Sequence, residues 1–120
     1  MKCLIVEDDK SLCHLLARVL RRLGHDVEIA LSLSAARDAL CAKPFDTLLI
    51  DFSLPDGTAL DLLKIARCAD PAPRILVMTG SPDFPMGAAA ARAMGVSDIL
   101  MKPFENNALA RALAQTQAAA

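Results

Sequence analysis

Four short apolar runs, each giving way to polar residues, constrain this chain more than any other feature. They are Cys3-Leu4-Ile5-Val6, Thr47-Leu48-Leu49-Ile50, Ile75-Leu76-Val77-Met78 and Ile99-Leu100-Met101. They end at Glu7-Asp8-Asp9, Asp51, Thr79-Gly80 and Lys102-Pro103-Phe104 respectively. Runs that are apolar throughout, rather than alternating with polar residues, suit strands buried on both faces, as in parallel sheets. Where such strands terminate in polar groups, the sheet carries its chemistry along one edge.

Between the runs the apolar residues recur at helical spacing. Leu12, Leu15, Leu16, Val19, Leu20 and Leu23 form one face, and Gly24 ends that helix as a C-terminal cap. Val27 to Ala30 reads as a short strand near a sheet edge, with Glu28 exposed. Ser34 is expected to cap a helix through about Ala42, which Pro44 stops. Leu54-Pro55-Asp56-Gly57 is a turn: proline presets one dihedral angle, and glycine permits the reversal into the next helix. That helix presents Ala59, Leu62, Leu63 and Ala66 on one face. Pro71 and Pro73 break the chain before the fourth strand. Residues 83–94 are expected to form a helix of small residues closed by Gly95, and Leu109, Ala112 and Leu113 mark a last helix. Strands alternating with crossover helices specify a parallel sheet with right-handed connections, hence a three-layer α/β/α fold. The 120 residues are expected to make one domain, 1–120.

Composition excludes several function classes. The chain is 54% hydrophobic, yet charges or turn residues interrupt every apolar run, and none approaches the roughly 18 residues of a membrane helix. Met1-Lys2 leads straight into a run too short for a secretory signal, so a cytoplasmic location is expected. With 13 basic and 14 acidic residues, nothing demands nucleic acid or a charged membrane, and no contact with either is expected. Arg21-Arg22 reads as the solvated end of a helix, where cations suit the dipole. Cys3, Cys13, Cys41 and Cys68 have no metal-finger spacing and read as reduced thiols packed like small hydrophobes. His14 and His25 have no second ligand near them in sequence, and surface or satisfied roles are expected for both.

The strand ends carry the chemistry. Asp51 should sit, partly desolvated, at the carboxyl edge of the sheet, and Glu7 and Asp8 arrive there from the first strand. Carboxylates sharing one pocket repel, which a cation relieves. Oxygen donors of this kind favour magnesium, which takes one or two carboxylates together with waters and phosphate oxygens. Lys102 supplies a second positive charge, and Thr79 a hydroxyl able to donate to a phosphoryl oxygen. An aspartate beside such a cation can act as a nucleophile and form an acyl phosphate. Asp9 is placed to cap the first helix rather than to hold metal.

The motifs Leu4-Ile5-Val6-Glu7-Asp8-Asp9, Phe45 through Asp51, Leu54-Pro55-Asp56-Gly57, Met78-Thr79-Gly80 and Lys102-Pro103-Phe104 stand in one register. Over essentially its whole length the sequence resembles the receiver domain of bacterial two-component response regulators. The resemblance implies a flavodoxin-like three-layer sandwich whose five-stranded parallel sheet has the order 2-1-3-4-5. It implies Asp51 as phosphoacceptor for a histidine kinase or phosphotransfer protein, Thr79 as the switch hydroxyl and Lys102 as the acceptor's ion-pair partner, followed by a cis bond to Pro103. Magnesium would be held by Asp8, Asp51 and the backbone carbonyl of Ser53, with Glu7 acting largely through water. An effector domain or a second copy of the chain would be engaged through the fourth helix, fifth strand and fifth helix.

The chain departs from the family pattern at Ile99, where an aromatic switch residue is usual. Ser53 and Ser81 occupy positions that tune hydrolysis, and their short neutral side chains imply a phosphoryl group that persists for minutes. The residues from Met86 to Met94 carry Arg92 as their one charge, and alanines packed on the sheet explain that better than a partner surface. A phosphatase of the dehalogenase class would need a second aspartate where Ser53 stands. A nucleotide-binding domain would need a glycine-rich phosphate loop that is missing. A flavodoxin would place phosphate against Glu7-Asp8-Asp9, which would repel it. A receiver-like scaffold that works without phosphorylation is the remaining alternative.

Overall fold

The computed structural model describes residues 1–69, 72–80, 93 and 95–101. Five strands form one sheet: β1 (Lys2–Val6), β2 (Asp26–Ala30), β3 (Thr47–Asp51), β4 (Arg74–Thr79) and β5 (Asp98–Met101). Their spatial order is β2-β1-β3-β4-β5, and every pairing is parallel. This is the expected order 2-1-3-4-5. Three helices are described: α1 (Lys10–Arg22), α2 (Leu33–Ala42) and α3 (Ala59–Arg67).

The apolar strands work as their composition requires, with alternate side chains feeding two separate cores. Leu4, Val6, Leu48, Ile50, Ile75 and Val77 pack with Leu33 and Ala36 of α2 and Leu62, Leu63 and Ala66 of α3. Cys3, Ile5, Leu49, Leu76 and Met78 pack instead with Cys13, Leu16, Ala17 and Leu20 of α1. The sheet is therefore covered on both faces, which fixes its register, because a slip of one residue would exchange the two cores.

The helix ends follow local chemistry, with one departure. Asp9 caps α1, its carboxylate accepting from the N–H groups of Ser11 and Leu12 at 2.9 and 3.2 Å. Gly24, at φ +91°, follows the C-cap of α1 in the left-handed conformation that glycine tolerates. The cap of α2 is Ser32, not Ser34; its hydroxyl accepts from the N–H of Ala35 at 3.1 Å. The helix thus begins two residues earlier than the serine pattern suggested, because Leu33 is drawn into the core and Ser34 is bonded from elsewhere.

The thiols also divide. Cys3 and Cys13 are buried as expected, whereas Cys41 and Cys68 are exposed. Cys41 stands on the outer side of α2 and Cys68 at the C-cap of α3, beyond the last residue that faces the sheet. Burial pushes the Cys3 thiol up to about 11. His25 is buried at the amino-terminal edge, its Nδ1 3.3 Å from the Met1 amino group, and its ring is held below its ordinary value first by that burial. His14 is exposed.

The expected helix over 83–94, apart from Ala93, and the expected last helix lie outside the described residues, as do Ser81, Lys102 and Pro103. Among the described residues no helix is long and apolar enough to cross a membrane.

Candidate metal and phosphoryl site

Two adjacent strands of the parallel sheet end in acids at its carboxyl edge. Glu7 is the first residue beyond β1 and donates its N–H to the carbonyl of Ala30 at 3.1 Å, tying the end of β1 to the end of β2. Asp51 is the last residue of β3 and pairs with Met78 of β4. Asp8 lies one residue further along the first loop. Carboxylate oxygens of Glu7, Asp8 and Asp51 all fall within 4.8 Å of one another. Sequence separation alone would not join residues 8 and 51; parallel pairing of β1 with β3 does so.

The environment is graded. Glu7 is 1% exposed and Asp51 9%, while Asp8 is open to solvent. One Glu7 oxygen, Oε1, accepts from the N–H of Asp9 at 3.2 Å. Cys13, buried beneath the loop, donates its thiol to the Glu7 carbonyl at 3.2 Å. The cluster fits a hard divalent cation: its donors are all oxygens, one carboxylate is accessible to a hydrated ion, and two are held in place by burial. The same set offers no soft ligand that would favour zinc or copper.

Thr79 ends β4, one residue past the partner of Asp51, and is 4% exposed. Its strand partner is Met101, which immediately precedes Lys102 in sequence. The expected position of Lys102 itself falls outside the described residues. Ile99 is half-buried and packs against the core that includes Ile75, Val77 and Val96.

After Asp51 the chain makes a small antiparallel hairpin, Ser53–Leu54 against Gly57–Thr58. Its root is secured twice at Phe52, whose N–H donates to the carbonyl of Met78 and whose carbonyl accepts from the N–H of Ala59, both at 2.8 Å. Ser53 therefore follows directly on a backbone segment bonded both to β4 and to the start of α3. Pro55 and Asp56 form the tip. Gly57 has φ +147°, and a Cβ there would lie 2.7 Å from Asp61 Oδ2 and 2.8 Å from Leu33 Cδ1. The turn motif thus needs glycine for two reasons, its dihedral angle and the proximity of α2.

Two features were not visible in the linear pattern. Asp56, legible as a turn residue, also accepts from the N–H groups of Leu33 and Ser34 at 3.0 and 3.1 Å, across more than twenty residues of sequence. Cys13 sits on the buried face of α1, and nothing in its spacing signalled a bond to the Glu7 loop. The helical period could have put Cys13 inward, but not at that carbonyl.

Comparison with known proteins bears on the whole chain. The family described as response regulator receiver domain matches residues 3–114. The photosynthetic apparatus regulatory protein RegA of Rhodovulum sulfidophilum is 34% identical over 110 residues, covering 92% of this chain and 60% of that protein. The response regulator protein PilR of Pseudomonas aeruginosa is 34% identical over 104 residues, covering 87% of this chain and 23% of that protein. The chain thus spans less than two thirds of the length of these relatives. Among solved structures, the chemotaxis response regulator CheY4 of Vibrio cholerae superposes with a TM-score of 0.85 at 26% identity, covering 96% of this chain and 97% of that one. A shared fold and a family match across nearly the whole sequence agree: this chain belongs to the response regulator receiver domain family.

Proposed function

We propose that the chain receives a phosphoryl group on Asp51, from a sensor histidine kinase or a phosphotransfer protein, and thereby changes the surface it offers to a partner. Receiver domains are signalling modules of two-component phosphorelays, acting as phosphoacceptor switches rather than on a separate substrate. The observation that carries the reading is the meeting of Glu7, Asp8 and Asp51 within 4.8 Å at the carboxyl edge of the sheet. Of these, Asp51 stands at the end of β3, paired with Met78 of β4, and is 9% exposed where Glu7 is 1% exposed.

A carboxylate oxygen of Asp51 would attack the donor phosphorus as the donor's phosphorus–nitrogen bond breaks, its electron pair passing to the imidazole. Asp8, Asp51 and the Ser53 carbonyl would hold magnesium, with Glu7 acting through water. The cation would supply charge neutralisation for the phosphoryl oxygens. Thr79 would then donate its hydroxyl to the phosphoryl group, and Lys102 would pair with it. Such a group can move a two-state equilibrium only through interactions that differ between the states. Inward movement of Thr79 and Lys102 would be that difference, changing the loops before the fourth helix and the fifth strand.

The domain is read as a single unit over residues 1–120, working in the cytoplasm. Its output would pass through an effector domain or a second copy, and kinase identity would lie in the contacts of the whole protein. Intact mass after incubation with magnesium and acetyl phosphate tests the central step. Addition of one phosphoryl group to the parent, and none to Asp51→Asn, is expected. Folded parent protein that gains no mass would sink the proposal in favour of a phosphorylation-independent scaffold.

A further inference from the structure

The connection between β2 and α2 touches both loops that bear the acids. Its first anchor is the carbonyl of Ala30, which accepts from the N–H of Glu7 at 3.1 Å. Its second is the start of α2, where the N–H groups of Leu33 and Ser34 donate to Asp56 Oδ1 and Oδ2 at 3.0 and 3.1 Å. A helix begins with N–H groups that lack intrahelical partners. Here Ser32 satisfies only Ala35 by its side chain, and the two earlier groups are satisfied by a residue of the hairpin after Asp51. Leu33 also closes on Gly57, where an added Cβ would lie 2.8 Å from its Cδ1. The hairpin is therefore held at its root by Phe52 and at its tip by α2.

We propose that Asp56 is a positioning residue of the acceptor site: its bidentate tie to α2 braces the hairpin that carries Ser53 against the junction that also holds Glu7. The role of Ser53 in this inference rests on the magnesium reading above. Without the tie, the hairpin keeps its root but loses its tip anchor, and the Ser53 carbonyl is no longer set relative to the Glu7–Asp8 loop. Asp56 touches neither metal nor phosphoryl group; it acts through the backbone it holds.

The test compares Asp56→Ala and Asp56→Asn with Ser32→Ala. The serine variant weakens the start of α2 but leaves the tie to the hairpin intact, so it controls for loss of helix stability alone. Magnesium affinity is measured by calorimetric titration, and amide hydrogen exchange is followed over residues 52–58 without metal. Asp56→Ala is expected to weaken magnesium roughly tenfold, the scale of lost supporting contacts around a metal site, and to speed exchange across the hairpin. Asp56→Asn, which keeps one acceptor oxygen, should fall between it and the parent, and it remains available if the alanine variant does not fold. Ser32→Ala should match the parent in both readouts. Parental affinity and exchange in both Asp56 variants overturn the inference, as does an equal loss in Ser32→Ala. A parent that binds no magnesium and takes up no phosphoryl group refutes the site reading instead, and the exchange comparison still decides the brace.

Discussion

At the scale of single residues, the acids are in tension with folding. Glu7 and Asp51 are almost wholly buried, and Asp8 stands with them inside a 4.8 Å cluster. Like charges so placed repel, and a site that gathers them trades stability for function. Replacing Asp51 by Asn keeps the shape and removes one charge. In magnesium-free buffer Asp51→Asn is therefore expected to unfold at higher temperature than the parent. The gain should be at most about 3 kcal/mol, the scale of unit charges some 5 Å apart under protein-like screening, because the same change removes the attraction expected between Asp51 and Lys102. Thermal denaturation at low salt checks this, and an unchanged or lower midpoint would show that the cluster carries no net repulsion. Magnesium should raise the parent's midpoint more than the variant's, because only a ligand bound by the folded state stabilises it.

The element scale shows where local signals suffice and where they fail. Asp9 lies next to the helix it caps, so the acid before an amphipathic run revealed the start of α1. The sequence reading placed the cap of α2 at Ser34, whereas the structure uses Ser32, two residues earlier. Asp56 accounts for the difference, because it accepts from the N–H of Ser34 across 22 residues of sequence. This borrowed cap also sets a pH dependence. The bonds from Leu33 and then Ser34 hold the Asp56 carboxyl below its ordinary value of 3.8. Folding thus favours its ionised form, so the contribution is complete above that value and fades as pH falls through the lower, folded-state value. The difference in midpoint between parent and Asp56→Asn should accordingly be constant near neutrality and shrink in acid below pH 3.8. A gap that persists undiminished in acid would remove ionisation of Asp56 from the account.

For the whole molecule, the two-sided sheet sorts the thiols. Cys3 and Cys13 face the core beneath α1, whereas Cys41 and Cys68 lie on the outside of α2 and past the end of α3. Burial also disfavours the Cys3 thiolate, the form that reacts. Maleimide labelling of native protein should modify Cys41 and Cys68 within minutes and spare Cys3 and Cys13 until the chain unfolds. Peptide mapping after brief labelling checks the sorting, and early modification of Cys13 would mean that α1 opens from the sheet in the native state.

By itself the sequence determined the class of fold and the identity of the strand-end acids, while the order of strands followed from the family resemblance. Continuous apolar runs demand cover on both faces, helical spacing supplies it, and motifs in family register name the acids. These are local properties, readable within one turn of helix or one strand. Only the tertiary structure decided which separated residues meet. Parallel pairing of β1 and β3 brings Asp8 to Asp51, packing of Cys13 beneath the first loop bonds it to Glu7, and the approach of α2 to Gly57 lets Asp56 cap a distant helix. Each of these contacts spans a loop whose closure is repaid by burial elsewhere, so none of them leaves a mark on the residues immediately around it.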